Sequence, residues 1–123
     1  MARMERRRFE TLVEEAIASL PAEIRGKMDN VAVLVEDRPG RDETPRGGRH
    51  GELLLGLYRG QPLTARDSRY GMVLPDTITI YQANLEAICR NDDEIREEVR
   101  RTVLHEIAHH FGIDDERLHQ LGY

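Results

Sequence analysis

A chain of 123 residues and 14.2 kDa has room for one two-layer core and not for two ordinary ones, so residues 1–123 are expected to form a single domain. With 39% hydrophobic and 33% charged residues, a mean hydropathy of −0.60 and no tryptophan, it reads as a globular chain with an aliphatic core, and it contains no apolar run of about 18 residues that would cross a membrane. A net charge of −5 argues against general attraction to nucleic acid, and Cys89, the single cysteine, excludes both an intramolecular disulfide and a cysteine-rich zinc framework.

The basic start MERRR is followed by FETLVEEAIASL, whose three acids interrupt what a secretion signal would need as an apolar stretch. Together with the lone thiol this favours a reducing interior, and the cytoplasm is the expected location. Within the same stretch Phe9, Leu12, Val13, Ala16, Ile17 and Leu20 recur at helical spacing and predict a helix over about 5–20, stopped or reoriented by Pro21.

The β-branched run NVAVLVED (30–37) predicts a strand buried on both faces, and GELLLGLYRG (51–60) a second one bracketed by glycines. The intervening segment, about 37–50, is rich in Pro, Gly and charge and reads as a mobile loop; His50 at its end is expected to be a solvent-exposed residue. YGMVL (70–74) and DTITIY (76–81), separated by Pro75, predict two further short strands, and QANLEAICR a turn or two of helix. The expected architecture is therefore α+β: a small sheet of about four strands packed against an N-terminal helix and a long C-terminal helix.

That last helix opens at NDDE, with Asn91 as N-cap, Glu94 three residues on, and Asp92 and Asp93 near the positive end of the helix dipole. It is expected to run to Gly112. At 100° per residue His109 lies about 40° from His105 and Glu106 about 100°, so both imidazoles share one face with the carboxylate beside them. Val99, Val103, Leu104, Ile107 and Phe111 are expected on the opposite side, with His110 turned toward the packed side. The apolar surroundings, VLHEIAHHFGI, suggest that these ionisable groups sit in an apolar wall, where a bound cation would offset the cost.

His-Glu-x-x-His on a helix is a zinc-binding signature, because histidines one turn apart can direct a ring nitrogen at one ion while the adjacent glutamate accepts a proton from the metal-bound water. A catalytic zinc needs a third protein ligand. Gly112, three residues after His109, is placed to end the helix in a left-handed turn and bring Asp115 back beneath the histidine face; His119 is a weaker substitute. The extended motif His105-Glu106-x-x-His109-x-x-Gly112-x-x-Asp115 specifies five positions within eleven.

On these residues the chain resembles the small bacterial zincin-like metallopeptidases, through LLGLYRGQPLTAR, PDTITIYQANLEAICR and VRRTVLHEIAHHFGIDDERLHQLGY. The resemblance implies a zincin-like fold with a mixed sheet backed by helices, one Zn²⁺ held by His105, His109 and Asp115, Glu106 as catalytic base, and hydrolysis of peptide bonds in a peptide or protein substrate. It also implies that an extended substrate pairs with an edge strand, for which YGMVL and DTITIY are the candidates. The metzincin pattern is similar up to its third ligand, but no methionine follows Met72. Tyr81, Tyr123 and His110 are the polar candidates for stabilising an oxyanion.

Two other functions compete. A bacterial endoribonuclease family of ribosomal RNA maturation has a similar histidine-bearing helix, but places no carboxylate where Glu106 stands. A non-enzymatic interaction module would use zinc only to hold the C-terminal segment down, in a closed shell of four protein ligands.

Overall fold

The computed structural model describes residues 4–40, 53–60 and 75–120. Eight elements follow in order: α1 (Arg6–Ala18), α2 (Ala22–Lys27), β1 (Val31–Glu36), β2 (Gly56–Arg59), β3 (Asp76–Tyr81), α3 (Gln82–Ile88), α4 (Asp92–Phe111) and α5 (Asp115–Gln120). The described strands form one mixed sheet in the order β1-β3-β2, with β1 parallel and β2 antiparallel to β3. The expected α+β arrangement with a small mixed sheet is present. Of its strands three are described, and YGMVL lies outside the described residues, as do His50 and the part of the predicted loop beyond Gly40.

Helix α1 forms where the apolar stripe predicts, burying Phe9, Leu12, Val13 and Ala16 against α4. Pro21 does reorient the chain: it serves as N-cap of α2, a six-residue helix whose buried residue is Ile24. The common core joins these residues to Ile78 and Ile80 of β3, Leu85 of α3, Ile95, Val99, Val103, Leu104 and Ile107 of α4, and Leu118 of α5. No described helix is long and apolar enough to cross a membrane.

The strands differ from expectation in where they lie. Strand β1, predicted to be buried on both faces, is an outer strand of the described sheet, and Leu34 is 45% exposed. The doubly covered strand is instead β3, where Thr79 and Tyr81 are buried as well as Ile78 and Ile80. Its alternation of Ile with Thr and Tyr does not mark a solvent face, because β-branched and aromatic side chains suit a covered pleated surface too.

Polar side chains buried on α3 serve the backbone of neighbouring segments. Asn84 Nδ2 donates to the Leu54 carbonyl at 2.7 Å, which fixes the chain just before β2. Gln82 Nε2 donates to the Met4 carbonyl at 2.9 Å, and the Met4 N–H donates to Glu86 Oε2 at 2.7 Å. These bonds satisfy groups that would otherwise be buried without partners.

Helix α4 is capped at both ends. The Asn91 side chain accepts from the Glu94 N–H at 2.9 Å, and Glu94 Oε1 accepts from the Arg90 N–H at 3.0 Å. At the other end Gly112 takes φ 70° and ψ 29°, a left-handed conformation that costs glycine little, and both it and Ile113 donate to the Ala108 carbonyl. Twenty residues give a rod about 30 Å long.

Strand β2 lies close along this rod. A Cβ at Gly56 would stand 2.6 Å from Thr102 Cγ2 and 3.2 Å from the Thr79 carbonyl oxygen. Gly56→Ala is therefore expected to cost about 1–3 kcal/mol in urea unfolding, with part recovered when Thr102→Ser removes the opposing methyl. Equal stability of the single variant and the wild type would show that no close approach exists.

Cys89, at the end of α3, is 3% exposed. Burial, and secondarily the charges of Glu98 and Glu94, push its thiol from an ordinary 9.0 up to about 11. The folded state thus favours the neutral thiol: its contribution is complete below the unfolded pKa of about 8.5–9 and is lost as pH rises toward 11. Wild type should lose stability relative to Cys89→Ala across that interval, and native protein at pH 8 should resist thiol reagents that modify the unfolded chain. Rapid native modification would contradict this burial.

Candidate metal centre

Helix α4 presents its chemistry on the flank that meets β2. Two strand residues advance about 6.6 Å and four helix residues about 6 Å, so alternate positions of β2 can match successive turns of α4. Such a match is present: Gly56 faces Thr102, Tyr58 meets Glu106, and Gly60 lies beside His110. A short strand thereby reads out one face of the helix, turn by turn.

His105, Glu106 and His109 line one cleft of about 470 Å³ together with Leu57 and Tyr58. The same two histidines also border a second hollow of about 250 Å³, whose other walls are Ala108, Ile113 and Leu118. The imidazoles are thus a partition between two hollows, and both are exposed. This corrects the expectation of ionisable groups sunk in an apolar wall. Val99, Val103, Leu104 and Ile107 do face the core, but the histidines look outward.

Glu106 is the half-covered member of the set. Burial raises its carboxyl above the usual carboxylate range; a hydrogen bond from the Tyr58 backbone N–H, and then the neighbouring His109 and His105, act in the opposite sense. The strand thus sets a backbone donor against this carboxylate, in the cleft that it shares with the two rings.

The third ligand expected from sequence, Asp115, opens α5 just after the reversal at Gly112; its side chain lies outside the described ones. Its neighbours are accounted for. Asp114 Oδ1 accepts from the Arg117 N–H at 2.8 Å, capping α5, and Arg117 pairs through both Nε and Nη2 with the Glu23 carboxylate of α2. Leu118 is buried beneath. The reversal is therefore held from both sides while Asp114 is occupied in its own turn. His119 is exposed on α5. Among the described residues no group of three or more His, Cys, Asp or Glu side chains is gathered as a metal cage.

The oxyanion candidates separate. Tyr81 is fully buried in the core and does not reach the cleft, and Tyr123 lies outside the described residues. His110, expected on the packed side, is 40% exposed; it stacks on the Tyr58 ring at 4.0 Å between centroids and places Nε2 3.8 Å from Asp76 Oδ2. Phe111 also leaves the core, at 41% exposure, edge-on to His110 and below the Lys27 ammonium. DTITIY is the central strand, paired on both sides, so it offers no edge to a substrate. The strand that borders the cleft is β2, through Leu57 and Tyr58, which sequence reasoning did not connect with the site.

Comparison with known proteins bears on the fold and on the family. A conserved hypothetical protein from Thermus thermophilus has a similar fold, with a TM-score of 0.56 at 24% identity over 88% of this chain and 94% of that one. A search of curated proteins finds no match. Residues 28–123 match the family described as zincin-like metallopeptidase, a span that includes the cleft and every strand and helix from β1 onward. The chain belongs to the zincin-like metallopeptidase family.

Proposed function

We propose that this protein is a zinc-dependent peptidase in which His105, His109 and Asp115 hold the metal ion and Glu106 is the base. The observation that carries the reading is the shared cleft: two imidazoles one turn apart and a half-covered carboxylate line the same open space of about 470 Å³. The donor set suits zinc, since imidazole and carboxylate are its usual ligands at catalytic sites, and exposed rings can turn toward an ion without disturbing the core. When bound, zinc supplies Lewis acidity toward a water molecule and toward a carbonyl oxygen.

The protein's own groups do the rest. Glu106, held by the Tyr58 N–H, takes the proton of the attacking water and returns it to the departing amine, so one carboxylate serves both halves of the reaction. Gly112 turns the chain so that α5 follows directly under the histidine face, and the Arg117–Glu23 pair and Leu118 hold that return segment for Asp115. The cleft is open enough for an extended peptide or an exposed terminus, and the net charge of −5 favours such a substrate over RNA. The single thiol favours work in the cytoplasm.

Protein purified without chelator should retain zinc and cleave members of a quenched peptide library. Glu106→Gln is expected to lower cleavage by about 10²–10⁴ with zinc content unchanged, whereas His105→Ala should lose the metal. Undiminished cleavage by Glu106→Gln would remove the assigned base. Specific cuts in structured RNA, lost on His105→Ala, would replace the peptidase with a nuclease.

A further inference from the structure

Tyr58 touches the site in more than one way. Its backbone N–H donates to the Glu106 carboxylate, its phenol OH donates to Asp76 Oδ2 at 2.6 Å, and its ring lies on the His110 imidazole with an interplanar angle of 21°. His110 Nε2 stands 3.8 Å from that same Asp76 oxygen. Phe111 closes the cluster edge-on, at 4.9 Å from His110 and 6.4 Å from Tyr58.

The connectivity matters more than any single contact. Glu106 and His110 are one helical turn apart on α4, and both meet the same residue of β2, one through its backbone and the other through its ring. Asp76, the first residue of β3, anchors that residue from the sheet. A four-residue strand has few ladder hydrogen bonds to fix its position along the helix, so a side-chain clamp at its midpoint decides where its N–H groups point. A phenol bonded to a carboxylate is among the stronger hydrogen bonds, and the stacked imidazole restricts the ring as well.

We propose that Tyr58 is a positioning residue for Glu106: the Asp76–Tyr58–His110 clamp fixes β2 against the last turns of α4 so that the Tyr58 N–H holds the Glu106 carboxylate beside the His105 and His109 rings. The functional half of this inference rests on Glu106 being the base, as proposed above. The clamp acts through the backbone, so its removal should move Glu106 while leaving the imidazoles in place. Outer partners of this kind commonly change activity by about 10- to 100-fold.

The test uses two conservative variants, Tyr58→Phe, which keeps the stacked ring and loses the phenol, and Asp76→Asn, which keeps the shape and loses the charge. In full-length metal-free protein, the exchange rate of the Tyr58 amide is followed by NMR, with the ¹³C shift of the Glu106 carboxyl as a second reporter. Exchange should rise about tenfold or more in both variants and in Glu106→Ala, and the carboxyl shift should move in the two clamp variants, while the melting profile remains cooperative. With zinc added and a quenched peptide as substrate, zinc affinity and KM should hold and kcat should fall about 10- to 100-fold. An unchanged Tyr58 amide and Glu106 carboxyl in both variants overturns the clamp. A loosened amide with unchanged kcat overturns its positioning role. If the wild type cleaves no peptide, a loosened amide and a shifted carboxyl still support the clamp, and it is the peptidase reading that fails.

Discussion

Everything at the candidate site depends on how closely β2 can lie along α4. Gly56 opposite Thr102 permits the approach, since any side chain there would meet the helix and the β3 backbone together. Once the strand is that close, its two-residue advance keeps step with the helical turn, and Tyr58 reaches Glu106 while Gly60 comes beside His110. The cleft lies beside this pairing, between Leu57 and Tyr58 of the strand and His105, Glu106 and His109 of the helix.

The energetic logic of the site follows from exposure. His105 and His109 are exposed, so the folded chain bears no large penalty for holding them, and the core beneath is completed by Val103, Leu104, Ile107 and Ala108 without them. Glu106 is different: partial burial disfavours its charged form, and the Tyr58 N–H provides the compensating bond. Stability and chemistry are thus divided along α4, with one flank devoted to packing and the other to polar groups. At the far end, the left-handed Gly112, the Asp114 cap and the Arg117–Glu23 pair return the chain toward the histidine face.

Legibility in the sequence followed the range over which each pattern is expressed. That His105, Glu106 and His109 share one cleft was readable because helical periodicity sets all three on one flank of α4. The Asn91 cap and the Gly112 turn were readable for the same reason, each being encoded within a few residues. Strand order was not. Among the described strands VAVLV, the more apolar run, lies at an edge, whereas DTITIY is central, since hydropathy reports what a residue tolerates and not which strand will cover it. Helix α2 escaped notice because six residues around one buried isoleucine carry no periodic signal. The Tyr58, Asp76 and His110 cluster also left no trace: its members are 18 and 34 positions apart, and only the pairing of β2 with β3 and α4 brings them together. The one local hint was His110 itself, a polar residue assigned to a packed side that it does not occupy.

The central claim is that two imidazoles from adjacent turns of α4, joined by a carboxylate after the Gly112 reversal, hold a single zinc ion. Zinc-edge X-ray absorption on protein loaded with one equivalent of metal, compared with the Asp115→Ala variant, tests it most directly. A first shell with two imidazole nitrogens at about 2.0–2.1 Å and oxygen donors, altered in the oxygen part alone by the substitution, is the expected result. A shell containing fewer than two imidazoles, or one indifferent to Asp115, would contradict it.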